Sequence, residues 1–304
     1  MTSMDSSRLT WPVAPWPVSD RPTIRWPNGA RVAFWVAPNV EFYEISPPSN
    51  PVRAAWPRPA PDILNVTARD YGNRVGVWRC IDIFDRYGIV GSVSLNSAMC
   101  RHFPHVVDLF VERGWELLCH GDYNTRYLFG RSREDEKALI KNACAEIAEF
   151  GGRPVEGFLA PALTYTEHTF DILTELGISY TLDLFDRDEP YRLSPRYGEM
   201  VSVPYQVEIN DFHALTAQGL AGEFYLRRFR NHLDRLCLEG EQSGRVVGLP
   251  LHPYIIGQPQ YVWVLEEMMA YVRQRDDVWI ATAGDIARHF RATTAGSRQG
   301  ATQS

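Results

Sequence analysis

The sequence has no long apolar run. Nowhere do about 18 uncharged apolar residues stand together, which argues against a helical membrane span. Clustered bases are also missing. The 304 residues carry 31 basic and 37 acidic side chains, a net charge of −6, whereas nucleic acid and anionic lipid are bound through grouped Lys and Arg. Neither nucleic acid nor membrane is therefore expected as a partner. Cysteine is sparse: Cys80, Cys100, Cys119, Cys144 and Cys237 stand far apart with no Cys-x-x-Cys. That spacing excludes a disulfide framework and a structural zinc site, and leaves buried reduced thiols as the expectation. Cys119 beside His120 is not a nucleophile pair, because adjacent strand residues face opposite ways. No Gly-x-Gly-x-x-Gly follows the first strand and no P-loop is present, which removes the common nucleotide cradles. The first 22 residues lack a signal-peptide core, so a cytoplasmic location is expected.

What is present is 45% apolar and 12% aromatic residues, enough for a sizeable core. Three zones are expected. Residues 1–30 hold Trp11-Pro12, Trp16-Pro17 and Trp26-Pro27, and a residue before proline is biased away from helix. This reads as an extended arm that wraps the core or a neighbouring subunit, and a homo-oligomer, dimer or tetramer, is expected with it. Residues 31–290 alternate short β-branched runs with amphipathic segments. Strands are expected over 31–37, 89–95, 116–119, 154–159, 179–183, 200–204, 245–251 and 278–281, and helices over 75–87, 103–113, 132–150, 167–176, 222–238, 261–274 and 284–289. Such repeated units predict a single-domain α/β chain folded as a parallel (β/α) barrel, closed or partly open, with a doubly wound sheet as the rival. Residues 291–304 are small and polar, and a disordered tail is expected there.

Between residues 42 and 61 stand Pro47, Pro48, Pro51, Pro57, Pro59 and Pro61. Coming directly after the first strand, this stiff segment is expected to line or cover the barrel face where active sites form. Polar residues placed after apolar strands supply the chemistry. Asn39 and Glu41 share one face of an extended chain. His120 follows the third strand and Asn124 lies four residues beyond it. Ala160-Pro161, Asp183, Asn210-Asp211 and His252-Pro253-Tyr254 follow later strands. Two histidines, a carboxylate and several amides thus converge from different strands.

These residues, with Trp26-Pro27-Asn28-Gly29-Ala30-Arg31, Asp70-Tyr71-Gly72-Asn73-Arg74-Val75-Gly76, Asp188-Glu189-Pro190-Tyr191, Val203-Pro204-Tyr205 and Leu251-His252-Pro253-Tyr254-Ile255-Ile256-Gly257, resemble the polysaccharide deacetylase, or NodB-homology, family over residues 25–290. The resemblance is nearest to an intracellular branch with metal-independent allantoinases, cyclic imide hydrolases and peptidoglycan-deacetylase-like proteins. It implies a deformed (β/α) barrel. Metal-dependent members supply two aspartates and two histidines four residues apart. Here Asn39 and Glu41 occupy the aspartate positions, and Asn124 stands where the second histidine is expected. An amide is a poor zinc ligand, so no metal is required. If one divalent metal, such as zinc, is bound, Glu41 and His120 are its candidate ligands.

The expected reaction is hydrolysis of a non-peptide C–N bond in a small amide, with a cyclic amide or imide favoured. Glu41 or His120 is expected as the base that orients water, and His252 as the acid. Asn39, Asn124 and backbone N–H groups near Ala160-Pro161 are expected to polarise the carbonyl. Asp188, Asn210 and Asp211 are expected to hold those groups or the substrate, with Tyr123, Tyr165, Tyr205 and Tyr254 around a flat ligand. A metal-dependent deacetylase of an N-acetyl amino sugar, and a non-catalytic metabolite- or sugar-binding protein, are the alternatives.

Overall fold

A computed structural model describes residue 17 and residues 21–295. Trp11 and Trp16 of the expected arm, and the expected tail from residue 296, lie outside the described residues. Among the described residues nine strands form one curled sheet: β1 (Val32–Val40), β2 (Ser92–Leu95), β3 (Glu116–Cys119), β4 (Gly157–Phe158), β5 (Tyr180–Thr181), β6 (Tyr191–Leu193), β7 (Met200–Ser202), β8 (Arg245–Leu251) and β9 (Val278–Ile280). The order is β6-β7-β5-β4-β3-β2-β1-β8, with β9 also against β1. Every pairing is parallel except β6 with β7. The chain is thus a deformed α/β half-barrel wrapped by helices, as expected.

Strand periodicity sorts the core into two layers. Ala33, Trp35 and Ala37 of β1, Leu118 of β3, Leu159 after β4, Val201 and Val203 at β7 and Val246 of β8 fill the inside of the curl. Val32, Phe34 and Val36 join the outer layer beneath the helices, because successive strand side chains point to opposite faces. Trp35 is fully buried, and its indole N–H finds an acceptor in the carbonyl of Pro204 at 3.2 Å. Gln206 spans the gap between the segment after β7 and β8: its amide donates to Val246 O at 2.8 Å and accepts from Gly248 N at 2.6 Å. A side-chain amide thereby does what a missing strand ladder would do.

The helices follow their sequence signals. Helix Val77–Tyr87 turns Val77, Cys80, Ile81 and Phe84 inward at helical spacing and ends on Gly88 at φ 59°. Helix Arg133–Gly151 starts at Ser132, whose side chain accepts from Asp135 N, and ends on Gly152. Helix Ile63–Tyr71 was not expected, although Asp62 caps it by accepting from Asn65 N. It buries no residue fully, so it leaves little apolar periodicity to read.

Two zone boundaries move. Trp26 is buried, donates to Arg245 O at 2.8 Å and packs against Trp279 at 5.7 Å, so the described end of the arm lies on its own barrel. The last helix, Ala283–Thr293, runs past residue 290, and buried Thr294 bonds back to Phe290 O at 2.6 Å. Residues 291–294 therefore belong to the fold and not to a tail, because helical hydrogen bonds continue beyond the last apolar residue that marks the helix in sequence.

Candidate active site

The inward parity of β1 carries Ala33, Trp35 and Ala37 on to Asn39, which lies within the strand paired with Ser94 instead of after it as expected, and one step past the strand to Glu41. The same extension places His120 beyond Leu118 and His252 beyond Val246. These residues meet at the carboxyl ends of the strands, in a cavity of about 770 Å³ that Arg53, Trp56 and Pro57 of the proline-rich segment also line. Phe42 N donates to Asn96 Oδ1 and Asn124 N donates to Phe42 O, both at 2.9 Å. The loop after β3 is thereby fastened to the segment after β1.

Glu41 is the hub. Its Oε1 accepts from Asn124 Nδ2 at 2.9 Å and faces His120 Nε2 at 3.3 Å and His252 Nε2 at 3.9 Å. Tyr43 donates its hydroxyl proton to Oε2 at 2.6 Å. Burial alone would raise the Glu41 pKa, but the His120 contact, the charge of His252 and the Tyr43 hydroxyl hold it below its ordinary value. The carboxylate is thus an anion oriented by one donor on each oxygen, with acceptor capacity left on both. His120 Nδ1 lies 2.8 Å from Leu159 O. A carbonyl only accepts, so Nδ1 carries a hydrogen, and Nε2 is the ring atom turned to Glu41 and the cavity.

His252 is held differently. Asp211, fully buried, accepts from His252 Nδ1 and from His252 N, each at 2.7 Å. Burial pulls the imidazolium pKa down, yet Asp211 and Glu41 together carry it above its ordinary value. The loop that bears His252 rests on glycines: a Cβ at Gly76 would stand 2.0 Å from Pro253 O, and one at Gly72 2.7 Å from Tyr254 N. The Gly72…Gly76 spacing seen in the sequence is thus a seat for the residues after His252.

The expected amide donors are already taken. Asn39 Nδ2 donates to Ala37 O at 3.3 Å, Leu251 O at 3.2 Å and the Tyr205 hydroxyl at 3.1 Å. Two carbonyl partners, which can only accept, fix which end of the amide is the nitrogen. Asn124 Nδ2 is shared between Glu41 and Tyr43, while its oxygen accepts from Ala162 N at 3.1 Å. Ala160 N is bound to Asp183 Oδ1 at 2.9 Å. None of these groups is left to polarise a carbonyl. Tyr205 is the group that sequence reasoning undervalued: its oxygen accepts from Asn39 and from Asn210 at 3.4 Å. Both lone-pair directions being used, its O–H points elsewhere, and burial pushes its pKa well up so that the proton stays.

The other expected residues divide. Asn210 and Tyr254 line the cavity. Asp211 serves His252 from behind. Pro161 is buried under the wall formed by Ala162 and Leu163. Asp188 stands apart: its carbonyl accepts from Val246 N at the opening of β8, far along the strand from His252, because the segment after β5 turns into antiparallel β6 instead of staying on the site face. Tyr123 packs on Phe42 and Arg126, and Tyr165 donates to Asp183 behind the wall. Burial raises Asp183 to about 6. Arg53, Arg69, Tyr43 and Trp56 line the cavity although nothing in their local pattern singled them out.

The polar groups around Glu41 are poorly arranged for a divalent metal. Glu41 Oε1 and His120 Nε2 converge, but Asn124 presents N–H donors to Glu41 and keeps its oxygen on Ala162. Among the described residues no group of three His, Cys, Asp or Glu side chains is arranged to hold a metal ion. The residues present do not fit a zinc site of the deacetylase type.

Residues 66–181 match the family described as polysaccharide deacetylase. The peptidoglycan deacetylase of Helicobacter pylori is 23% identical over 72% of this chain and 85% of its own. A solved structure from Pseudomonas aeruginosa PAO1, named as a probable polysaccharide deacetylase, is 25% identical with TM-score 0.78, covering 90% of this chain and 95% of that one. The structure of Puue allantoinase superposes with TM-score 0.81 at 24% identity over 90% of this chain and 95% of its own, a likeness of fold.

Proposed function

We propose that this chain, whose residues 66–181 match the polysaccharide deacetylase family, hydrolyses a carbon–nitrogen bond, other than a peptide bond, in a small linear or cyclic amide, without a metal. The observation that carries this reading is Asn124. Its oxygen is committed to Ala162 N and its N–H groups to Glu41 and Tyr43, so the position that a second imidazole would hold acts on the carboxylate.

Hydrolysis then uses the chain's own groups. Water lies against Glu41 Oε1 and His120 Nε2 and attacks the carbonyl carbon; His120 or Glu41 takes its proton as the C–O bond forms. Tyr205 O–H donates to the developing oxyanion. His252, kept cationic by Asp211, gives its proton to the nitrogen as the C–N bond breaks. The products are a carboxylate and an amine, joined in one molecule if the amide was cyclic. The proline-rich segment, with buried Trp56 bonded to Glu44 O at 2.9 Å, narrows the mouth in favour of a compact ligand over a polymer.

The Helicobacter pylori relative favours a second reading, deacetylation of an N-acetyl amino sugar. Both readings break an amide C–N bond, and one experiment separates them: turnover of ureides, cyclic imides, lactams and N-acetylglucosamine oligomers, with and without chelator. Cyclic or small amides hydrolysed in the presence of chelator support the proposal. Activity on acetylated sugars alone, lost with chelator, overturns it.

A further inference from the structure

Two arginines on the cavity, Arg69 and the more exposed Arg53, form no ion pair among the described residues. Arg69 lines the cavity from helix Ile63–Tyr71. Its guanidinium carbon lies 5.0, 5.1 and 5.8 Å from the ring centroids of Tyr43, Trp56 and Tyr254. Nη1 makes long contacts with Asn65, at 3.2 and 3.3 Å, the Tyr43 hydroxyl also neighbours the guanidinium, and Nε is buried without a partner. Among the described residues no carboxylate comes within the 4.0 Å of an ion pair with it. Arg126, under the same segment, is by contrast paired with both Glu44 and Asp122. Arg53, also on the cavity, covers the Tyr127 ring at 5.1 Å and likewise forms no ion pair.

A half-buried guanidinium with an orphaned donor carries a desolvation cost that an anionic ligand would relieve. Its planar fork suits a carboxylate, and aromatic faces on several sides hold it for one. The geometry relative to Glu41 sets where that carboxylate belongs. The Tyr43 hydroxyl touches Glu41 while its ring touches Arg69, so the cation stands one aromatic ring away from the reacting amide. Glu41 and Asp211 would repel an anionic substrate, and Arg69 offsets them at a fixed distance.

We propose that the substrate carries a carboxylate a few bonds from the amide, that Arg69 seats it, and that Arg53 draws it in at the mouth. This deepens the hydrolase reading and rests on it for the identity of the amide. Calorimetric titration tests the anion site without turnover, using glutarate and glutaramide. Glutarate should bind and glutaramide bind at least about tenfold more weakly; Arg69→Met should weaken glutarate about 10²-fold, and Arg69→Lys should recover part of it. Circular dichroism and melting of both variants should match the parent. In turnover, succinamate should be preferred to succinamide, and Arg69→Met should remove that preference mainly through KM. Glutarate binding that needs Arg69 in a protein that hydrolyses no amide would support the carboxylate seat while removing the hydrolase. Equal binding of glutarate and glutaramide, or loss of turnover on succinamate and succinamide alike in Arg69→Met, would overturn the inference.

Discussion

Asp211 grips His252 twice, one carboxylate oxygen accepting from the ring Nδ1 and the other from the backbone N–H, both at 2.7 Å. The two bonds fix ring orientation and tautomer together, leaving Nε2 aimed at Glu41. A buried anion in this position also stabilises the imidazolium.

The pH profile should show this. If turnover needs ionised Glu41 and protonated His252, the acid limb of kcat/KM lies below 4.5, because Glu41 is held below that value, and the alkaline limb lies above 6.5, because His252 is raised from it. Asp211→Asn removes the larger raising charge and leaves burial opposed by Glu41 alone, so the alkaline limb should move to lower pH and the rate fall about 10²–10⁴-fold. Stability follows the same signs. The His252 contribution is present below 6.5 and lost as pH rises through the raised value; that of Glu41 is present above 4.5 and lost as pH falls through the lowered one. An alkaline limb unmoved in Asp211→Asn would take His252 out of the acid role.

Tyr205→Phe removes the cavity-lining hydroxyl that donates to the oxyanion in the proposed mechanism. An effect on kcat of about 10²–10³-fold with KM little changed is expected, as for loss of a single oxyanion donor. Asn39 and Asn210 would each lose an acceptor, so a melting temperature lower by a few degrees should accompany it. A loss confined to stability would make Tyr205 structural.

Metal content gives an independent check. Elemental analysis of purified protein should find much less than one equivalent of zinc, and chelator should leave most activity in place. Asn124→His exchanges an amide for an imidazole beside Glu41 and His120 and should raise zinc affinity, read by calorimetry. The same change removes two hydrogen bonds from the Glu41–Tyr43 cluster, so metal-free activity should drop. Zinc bound stoichiometrically by the parent and required for turnover would return the deacetylase mechanism to first place.

Gly76→Ala tests the seat under the His252 loop. The added methyl group meets Pro253 O at 2.0 Å, and backbone cannot yield as a flexible side chain does. The helix and the Pro253–Ile256 turn should move apart, lowering stability by about 1–3 kcal/mol and activity more than stability, since His252 precedes the turn. Native melting with full activity would show that the loop can shift freely.

Much of the barrel was legible in the chain because its strands carry their own pattern. Glu116–Cys119 and Arg245–Leu251 lie where apolar runs begin and end. Asn39, Glu41, His120 and His252 were recognisable as a group because period-two alternation continues past each strand, so a polar residue in the inward phase must enter the barrel mouth. Asp188 misled because a polar residue after a strand marks the site only if the chain stays on that face, and here β6 turns back. Arg69 gave no signal: on helix Ile63–Tyr71 it resembles any exposed arginine until Tyr43, Trp56 and Tyr254 come together around it. The sequence by itself determined which side chains could reach the mouth, since alternation is a local property of the backbone. Which way the amides of Asn39 and Asn124 face, whether Tyr205 keeps a proton to give, and which arginines on the cavity form no ion pair were decided only by tertiary structure, because each depends on counting donors against acceptors contributed by distant segments.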